Sequence, residues 1–233
     1  MHQKYHRQIT ITALEGHFSP PALETIIQGN LGQDRVSGQI GHPEFHFDDS
    51  AFAQGTAYIE KQRRIIRGAL CAPARPRAAW LAFGRLTHAA QDFYAHSNYI
   101  SLWLERYPAG QAPPPKSIEP MEHALLEDPR LRSGRVYWVE LLSYIPFLAP
   151  LVRRYIPPDA HYYLNLDHPG RGPLFPYAYA AAQKRTVVEY HTIAAALDTN
   201  GLGLFKDQAP NLAAPLPPAP APPTGEGGQG GWG

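Results

Sequence analysis

Cysteine is almost absent. Cys71 is the only one in 233 residues, which excludes an intramolecular disulfide and a thiolate metal site. Long apolar runs are lacking too: no stretch reaches the ~18 residues needed to span a bilayer. The first residues, Met1-His2-Gln3-Lys4-Tyr5-His6, carry no apolar signal-peptide core, so the chain reads as soluble and cytoplasmic. Neither sign of charge dominates. Lys and Arg number 21 against 20 Asp and Glu, and there is no long basic run, which argues against a stable nucleic-acid partner. No internal repeat and no oligomer signal stand out, and no glycine-rich phosphate loop or Ser/His/Asp triad offers itself. What the chain does have is eleven histidines. With almost no cysteine beside them, they point to a histidine and carboxylate site of the kind that suits zinc, manganese or iron. The length suffices for one domain with a core of its own.

The most informative stretch runs over residues 75–98. It has one proline near its start, few β-branched residues and much Ala, Leu, Arg and Gln, so it predicts a helix. His88, Asp92 and His96 stand four residues apart within it. Each step of four advances ~400°, so the three side chains share one face, each ~6 Å above the last. His88 and His96, ~12 Å apart along the axis, are too distant to ligate one ion. Asp92 lies between them with two oxygens and can bridge, which predicts more than one metal. The plain alternative is a helix with three polar residues on a wet face.

The rest of the chain predicts further helices. Residues 5–15 form a short one, ended by Gly16, with His6 near a loose terminus. Ser19-Pro20-Pro21 starts another, with Ser19 as cap and proline in the first turn, running to about Gln28. Residues 31–47 are irregular and hold Asp34 and His46. Asp49 caps a long helix over residues 51–72, with Tyr58, Ile59, Ile66 and Leu70 inward and Lys61, Gln62, Arg63, Arg64 and Arg67 on a solvated face. Gly84 in the metal helix costs ~1 kcal/mol against alanine and suggests a close neighbour. The helix resumes over 99–107, residues 108–120 form a proline-rich loop, and 121–127 a short helix. Residues 137–155 are strongly apolar but carry Glu140, Pro146 and Pro150. They predict either a kinked buried helix or a lipid-facing lid. His161 sits in an aromatic-rich loop, either at the surface or reaching the metals. Residues 175–197 close the fold as an amphipathic helix, with Glu189 and His191 structural.

The words around the metal helix, His88-Ala89-Ala90-Gln91-Asp92-Phe93-Tyr94-Ala95-His96-Ser97-Asn98, resemble the signature of the heterokaryon-incompatibility C (Het-C) family. That family is related to zinc-dependent bacterial phospholipase C and, more distantly, to zinc-dependent single-strand nucleases. Weaker matches cover residues 5–195, among them His6-Arg7-Gln8-Ile9-Thr10 and His161 followed by Leu164-Asn165-Leu166-Asp167. The resemblance implies an all-α fold around a three-zinc cluster, and in this chain the candidate ligands are expected to converge on a multinuclear site of two or three zinc ions. It implies the ligands His6, Asp34, His46, His88, Asp92, His96 and His161, with Asp34 and Asp92 also catalytic. Asp48 would hold a histidine from behind. Two departures stand out. The gap from Asp92 to His96 is shorter than in the phospholipase branch. Ser101 stands where the family commonly has a glutamate, with Glu105 one turn later as a substitute.

The expectation is therefore a single helical domain over residues 1–205 and a disordered Pro/Gly/Ala-rich tail over 206–233. The function implied is metal-assisted hydrolysis of a phosphodiester, phospholipase C-like on phospholipid, with possible peripheral membrane contact. A single-strand nuclease and a non-catalytic, metal-stabilised protein that binds a membrane or partner are the alternatives.

Overall fold

In the computed structural model, which describes residues 1–35, 41–143, 145 and 147–208, the helix of the metal word is the axis of the fold. The helices, in order, are α1 (Gln3–Leu14), α2 (Pro20–Leu31), α3 (Pro43–His46), α4 (Phe52–Leu70) and α5 (Pro76–His96). Then come α6 (Tyr99–Leu104), α7 (His123–Leu126), α8 (Trp138–Leu142), α9 (Ala149–Val152), α10 (His161–Leu164), α11 (Phe175–Ala195) and α12 (Thr199–Lys206). The described residues are all-helical, with no strand. Extended chain meets only at two isolated bridges, Ser97 with Ser133 and Arg135 with Ala160. No helix among them is long and apolar enough to cross a membrane. The tail expectation falls, from residue 209 on, outside the described residues.

α5 packs against α2, α4 and α11, and α1 closes the gap between α2 and α11. Every residue from Leu86 to His96 is buried. The wet-face alternative therefore fails: His88, Gln91 and Asp92 are all fully buried. A helix enclosed on all sides is a core helix, and this one carries its polar stripe into the interior.

The crossing of α2 over α5 is close because both helices present glycine. A Cβ on Gly29 would stand 2.5 Å from the Leu81 carbonyl oxygen, and one on Gly84 would stand 2.6 Å from the Asn30 nitrogen and press on the Ile26 carbonyl. These neighbours are backbone and cannot turn aside. Gly84→Ala is expected to destabilise by roughly 1–3 kcal/mol or more despite its better helix propensity. A thermal melt that stays level or rises would show that the two helices separate without cost.

Elsewhere the sequence reading needs correction. Residues 31–47 contain α3, and Leu31 still belongs to α2. Ser19 does cap α2, accepting from Ala22 N at 3.2 Å, but Asp49 caps nothing. α4 begins after Ala51 with no side-chain cap, and Asp49 Oδ1 instead accepts from Val136 N at 3.0 Å. Gln62 and Arg63 leave the expected solvated face: Gln62 is buried, and Arg63 reaches Glu189 of α11. Residues 137–155 are not one kinked buried helix. They break into α8, α9 and a 3-10 turn over Arg153–Tyr155, with Trp138 and Phe147 exposed. Pro150 serves as an early residue of α9, where its missing N–H costs nothing. α12 was not foreseen. It docks through Phe205, which packs on Phe18 and Phe83 and whose carbonyl accepts from Trp80 Nε1 at 2.7 Å.

Candidate metal centre

The four-residue spacing on α5 sets Asp92 at the middle of a ring of imidazoles. Asp92 Oδ2 lies 2.8 Å from His46 Nδ1 and 3.0 Å from His88 Nε2, and Oδ1 lies 3.1 Å from His6 Nε2. His88 Nε2 is 3.7 Å from Asp34 Oδ1 and 3.2 Å from His46 Nδ1. One ligand-type atom from each of His6, Asp34, His88 and Asp92 falls within 4.8 Å of the others. Around a tetrahedral zinc with bonds of ~2.0–2.1 Å, ligand atoms stand roughly 3.3–3.4 Å apart. The observed separations bracket that value.

A second group of donors lies one turn further along α5. Asp48, His96 and His161 also place one atom each within 4.8 Å of one another. His96 Nδ1 is 3.2 Å from Asp48 Oδ1, and His96 Nε2 is 3.1 Å from Asp167 Oδ1. The His96 and His161 rings meet edge to face at 4.5 Å.

Neighbours fix how the imidazoles point. His6 Nδ1 pairs with Gln91 Oε1 at 2.6 Å, and the Gln91 amide donates to Thr10 and Thr186. That fixes the amide oxygen as acceptor, so His6 Nδ1–H donates and Nε2 is free to accept a cation. Glu140 Oε1 holds His161 Nδ1 at 3.0 Å in the same way. His6 Nε2, Asp34 Oδ2 and His161 Nε2 are then left buried with no hydrogen-bond partner. Asp34 and His161 line one shared space, and unsatisfied buried atoms are costly unless something binds beside them.

That space is a cavity of about 470 Å³ whose lining includes Asp34, Asp48, Asp92, Glu140 and Asp167, and no Lys or Arg. Positive charge comes only from imidazoles and from the Met1 amino group, 2.6 Å from Asp92 Oδ1 and 3.0 Å from Asp167 Oδ1. Burial works against the Asp92 carboxylate, but the Met1 amine and His96, His88 and His6 outweigh it and hold its pKa well below the usual range. Asp167 behaves alike, through the same amine and His96. Burial would also lower His96, yet Asp92 and Asp48 outweigh it and raise its pKa well above the ordinary value. His88, in contrast, is pushed down by burial, and Asp34 is pushed up by burial. The cavity thus keeps Asp92 and Asp167 ionised, with cationic groups gathered against them. The donor set, histidine nitrogen and carboxylate oxygen without sulfur, is one that zinc accepts.

The structure therefore brings Asp34, His46, Asp92, His96 and His161 to the wall of one cavity, while His6 and His88 meet Asp92 without lining it. Glu105 is elsewhere. It is exposed and pairs with Arg130 at 2.9 Å, so it does not substitute for the glutamate that Ser101 replaces. Asp48, read as holding a histidine from behind, stands among the ligand-type atoms themselves. Glu140, Asp167 and Gln91 were missed. Glu140 was visible as the one acid in an apolar run, and Asp167 as the last letter of the Leu164–Asp167 word.

Residues 8–121 match the model of the VWA7 N-terminal domain family. A rat (Rattus norvegicus) protein, von Willebrand factor A domain-containing protein 7, is 38% identical over 90 residues, 37% of this chain. That match spans about a tenth of the relative's own length, 10%. No solved structure matches. Asp34, His46, Asp48, His88, Asp92 and His96 lie inside the family match, whereas His6, Glu140, His161 and Asp167 lie outside it. These findings correct the resemblance to the Het-C and phospholipase C families, because the similarity they detect runs to the VWA7 N-terminal domain. With it fall the zinc-dependent phosphodiester hydrolase, the phospholipase C-like activity and the nuclease alternative. The physical reason is that a His/Asp/His word at helical spacing fixes where donors stand, not what a bound ion does.

Proposed function

We propose that this domain is a metal-binding module that holds zinc in the cavity beside α5. His6, Asp34, His88 and Asp92, with His46 alongside, would hold one ion. Asp48, His96 and His161, with Asp167 alongside, would hold a second. The ions' work is structural: zinc supplies positive charge and fixed bond directions to donors that otherwise repel one another. Those donors come from α1, the turn after α2, α3 and the residue pair following it, α5, α10 and the loop beyond it, so each ion ties together segments distant in sequence.

The observation that carries this reading is the lining itself, with five carboxyl side chains converging and no Lys or Arg among them. The Met1 amino group and the imidazoles offset part of that charge, and a bound cation would offset the rest.

Elemental analysis of the purified chain, incubated with excess zinc and then desalted, is expected to give two zinc ions per molecule. One or none overturns the reading. Chelation is expected to lower the melting temperature by roughly 10 °C or more, since structural zinc contributes directly to folding free energy.

A further inference from the structure

Beyond the cavity, the surface over residues 131–158 is unlike the rest of the molecule. Trp138 is 78% exposed, Phe147 80%, Leu151 55% and Tyr155 62%. They come from one continuous piece of chain: α8 packs against α9, and the 3-10 turn follows directly. Ala149, Val152 and Ile156 are buried and anchor that piece from below. Single exposed apolar side chains need no explanation, but a Trp and a Phe held open within ten residues of each other mark an interaction surface.

Charge says what kind. Arg132, Arg135, Arg153 and Arg154 are exposed on the same stretch. Its acids are Glu140, which is buried and occupied with His161, and at its end the exposed Asp159, which accepts from the Tyr137 hydroxyl at 3.0 Å, against four arginines. Among the described residues none of the four guanidinium groups is in an ion pair. Three lie over tyrosine rings instead: Arg135 on Tyr137, Arg153 on Tyr162 and Arg154 on Tyr155. A second copy of this chain would set these arginines against themselves across a twofold axis. An apolar and aromatic surface bordered by unpaired arginine is complementary to an anionic lipid interface. There Trp and Tyr rest at headgroup depth and Arg meets phosphate.

We propose that Trp138, Phe147, Leu151 and Tyr155, with the four arginines beside them, dock this domain on an anionic membrane surface. The exposed aromatic and aliphatic side chains enter the headgroup layer, and the arginines meet lipid phosphates. The docking is peripheral, and although Val136 and Glu140 of the same segment line the cavity, none of the four arginines and none of Trp138, Phe147, Leu151 and Tyr155 does.

The test is co-sedimentation of the full chain with vesicles of phosphatidylcholine alone or mixed with phosphatidylserine, in the presence of chelator and again with zinc. The parent protein is expected to follow the mixed vesicles, to be released by salt, and to show a blue shift of Trp138 emission on binding. Arg153→Glu with Arg154→Glu is expected to weaken partitioning at least about 30-fold, since each arginine near such a surface contributes ~1 kcal/mol. Phe147→Ser with Leu151→Ser, which leaves Trp138 as reporter, is expected to abolish the blue shift. Both pairs change exposed residues, and circular dichroism confirms that they fold. Failure of the folded parent to bind mixed vesicles overturns the proposal. So does unchanged binding in both variants, or a dimer in solution that the Phe147 and Leu151 pair dissolves.

Discussion

Asp92→Ala is expected to strip the protein of most of its zinc and to lower its melting temperature more than any other change in the cavity. Asp92 is the one side chain that touches His6, His46 and His88 together, and His96 Nε2 lies 3.9 Å from its Oδ1. Its removal takes a ligand from the first group and the counter-charge from the imidazoles around it. Uncompensated buried charge costs roughly 3–5 kcal/mol, or about 6–20 °C in a domain of this size. His46→Ala, which deletes one imidazole at the edge of the same group, is expected to lose less zinc and less stability. Elemental analysis and thermal unfolding of the two variants side by side decide the matter. Equal zinc loss would remove the central role from Asp92, and full zinc retention in Asp92→Ala would remove Asp92 from the site. A further consequence follows. The melting temperature of Asp92→Ala should hardly respond to chelator, because little metal is left to withdraw.

Local patterning exposed the axis of this molecule well. The spacing of His88, Asp92 and His96 placed them on one helix face, and Ser19-Pro20-Pro21 marked the start of α2. Both signals are complete within a dozen residues, so no distant contact could override them. Other elements depend on distant partners. α12 contains Gly201 and Gly203, each costing ~1 kcal/mol in a helix, and it forms because Phe205 finds Phe18, Phe83 and the Trp80 indole. Asp49 and Ser50 look like a cap, but both have positive φ, 55° and 54°. The turn carries the Asp49 carboxylate away from α4 and toward Val136. The exposure of Trp138 and Phe147 in the apolar run over 137–155 was hidden because hydropathy does not say which side of a short helix faces solvent. In the cavity, the donors on α5 were legible from spacing alone. Glu140 and Asp167 act through histidines on other segments, and that pairing exists only once the chain has folded. The family resemblance misled because it extended a statement about residue positions into one about reaction.

Glu189→Ala should be the most damaging change away from the metals. Glu189 is fully buried in the middle of α11. Its Oε1 accepts from Arg185 Nε at 2.7 Å, and its Oε2 accepts from Arg63 Nε at 3.1 Å and Nη2 at 2.6 Å. One carboxylate therefore satisfies two guanidinium groups and joins α4 to α11. Arg185 is itself buried, 9% exposed. Removing Glu189 strands that charge in the interior, and the expected cost is again roughly 3–5 kcal/mol, or about 6–20 °C. The zinc content should not change, since Glu189 is not among the residues lining the cavity. That separates this effect from the loss expected for Asp92→Ala. Adding Arg185→Met to Glu189→Ala is expected to recover part of the stability, because a buried ion pair replaced by apolar groups costs far less than a broken one. A Glu189→Ala variant that loses under about 1 kcal/mol would place this network with ordinary surface ion pairs. It would also mean that both guanidinium groups reach water without it.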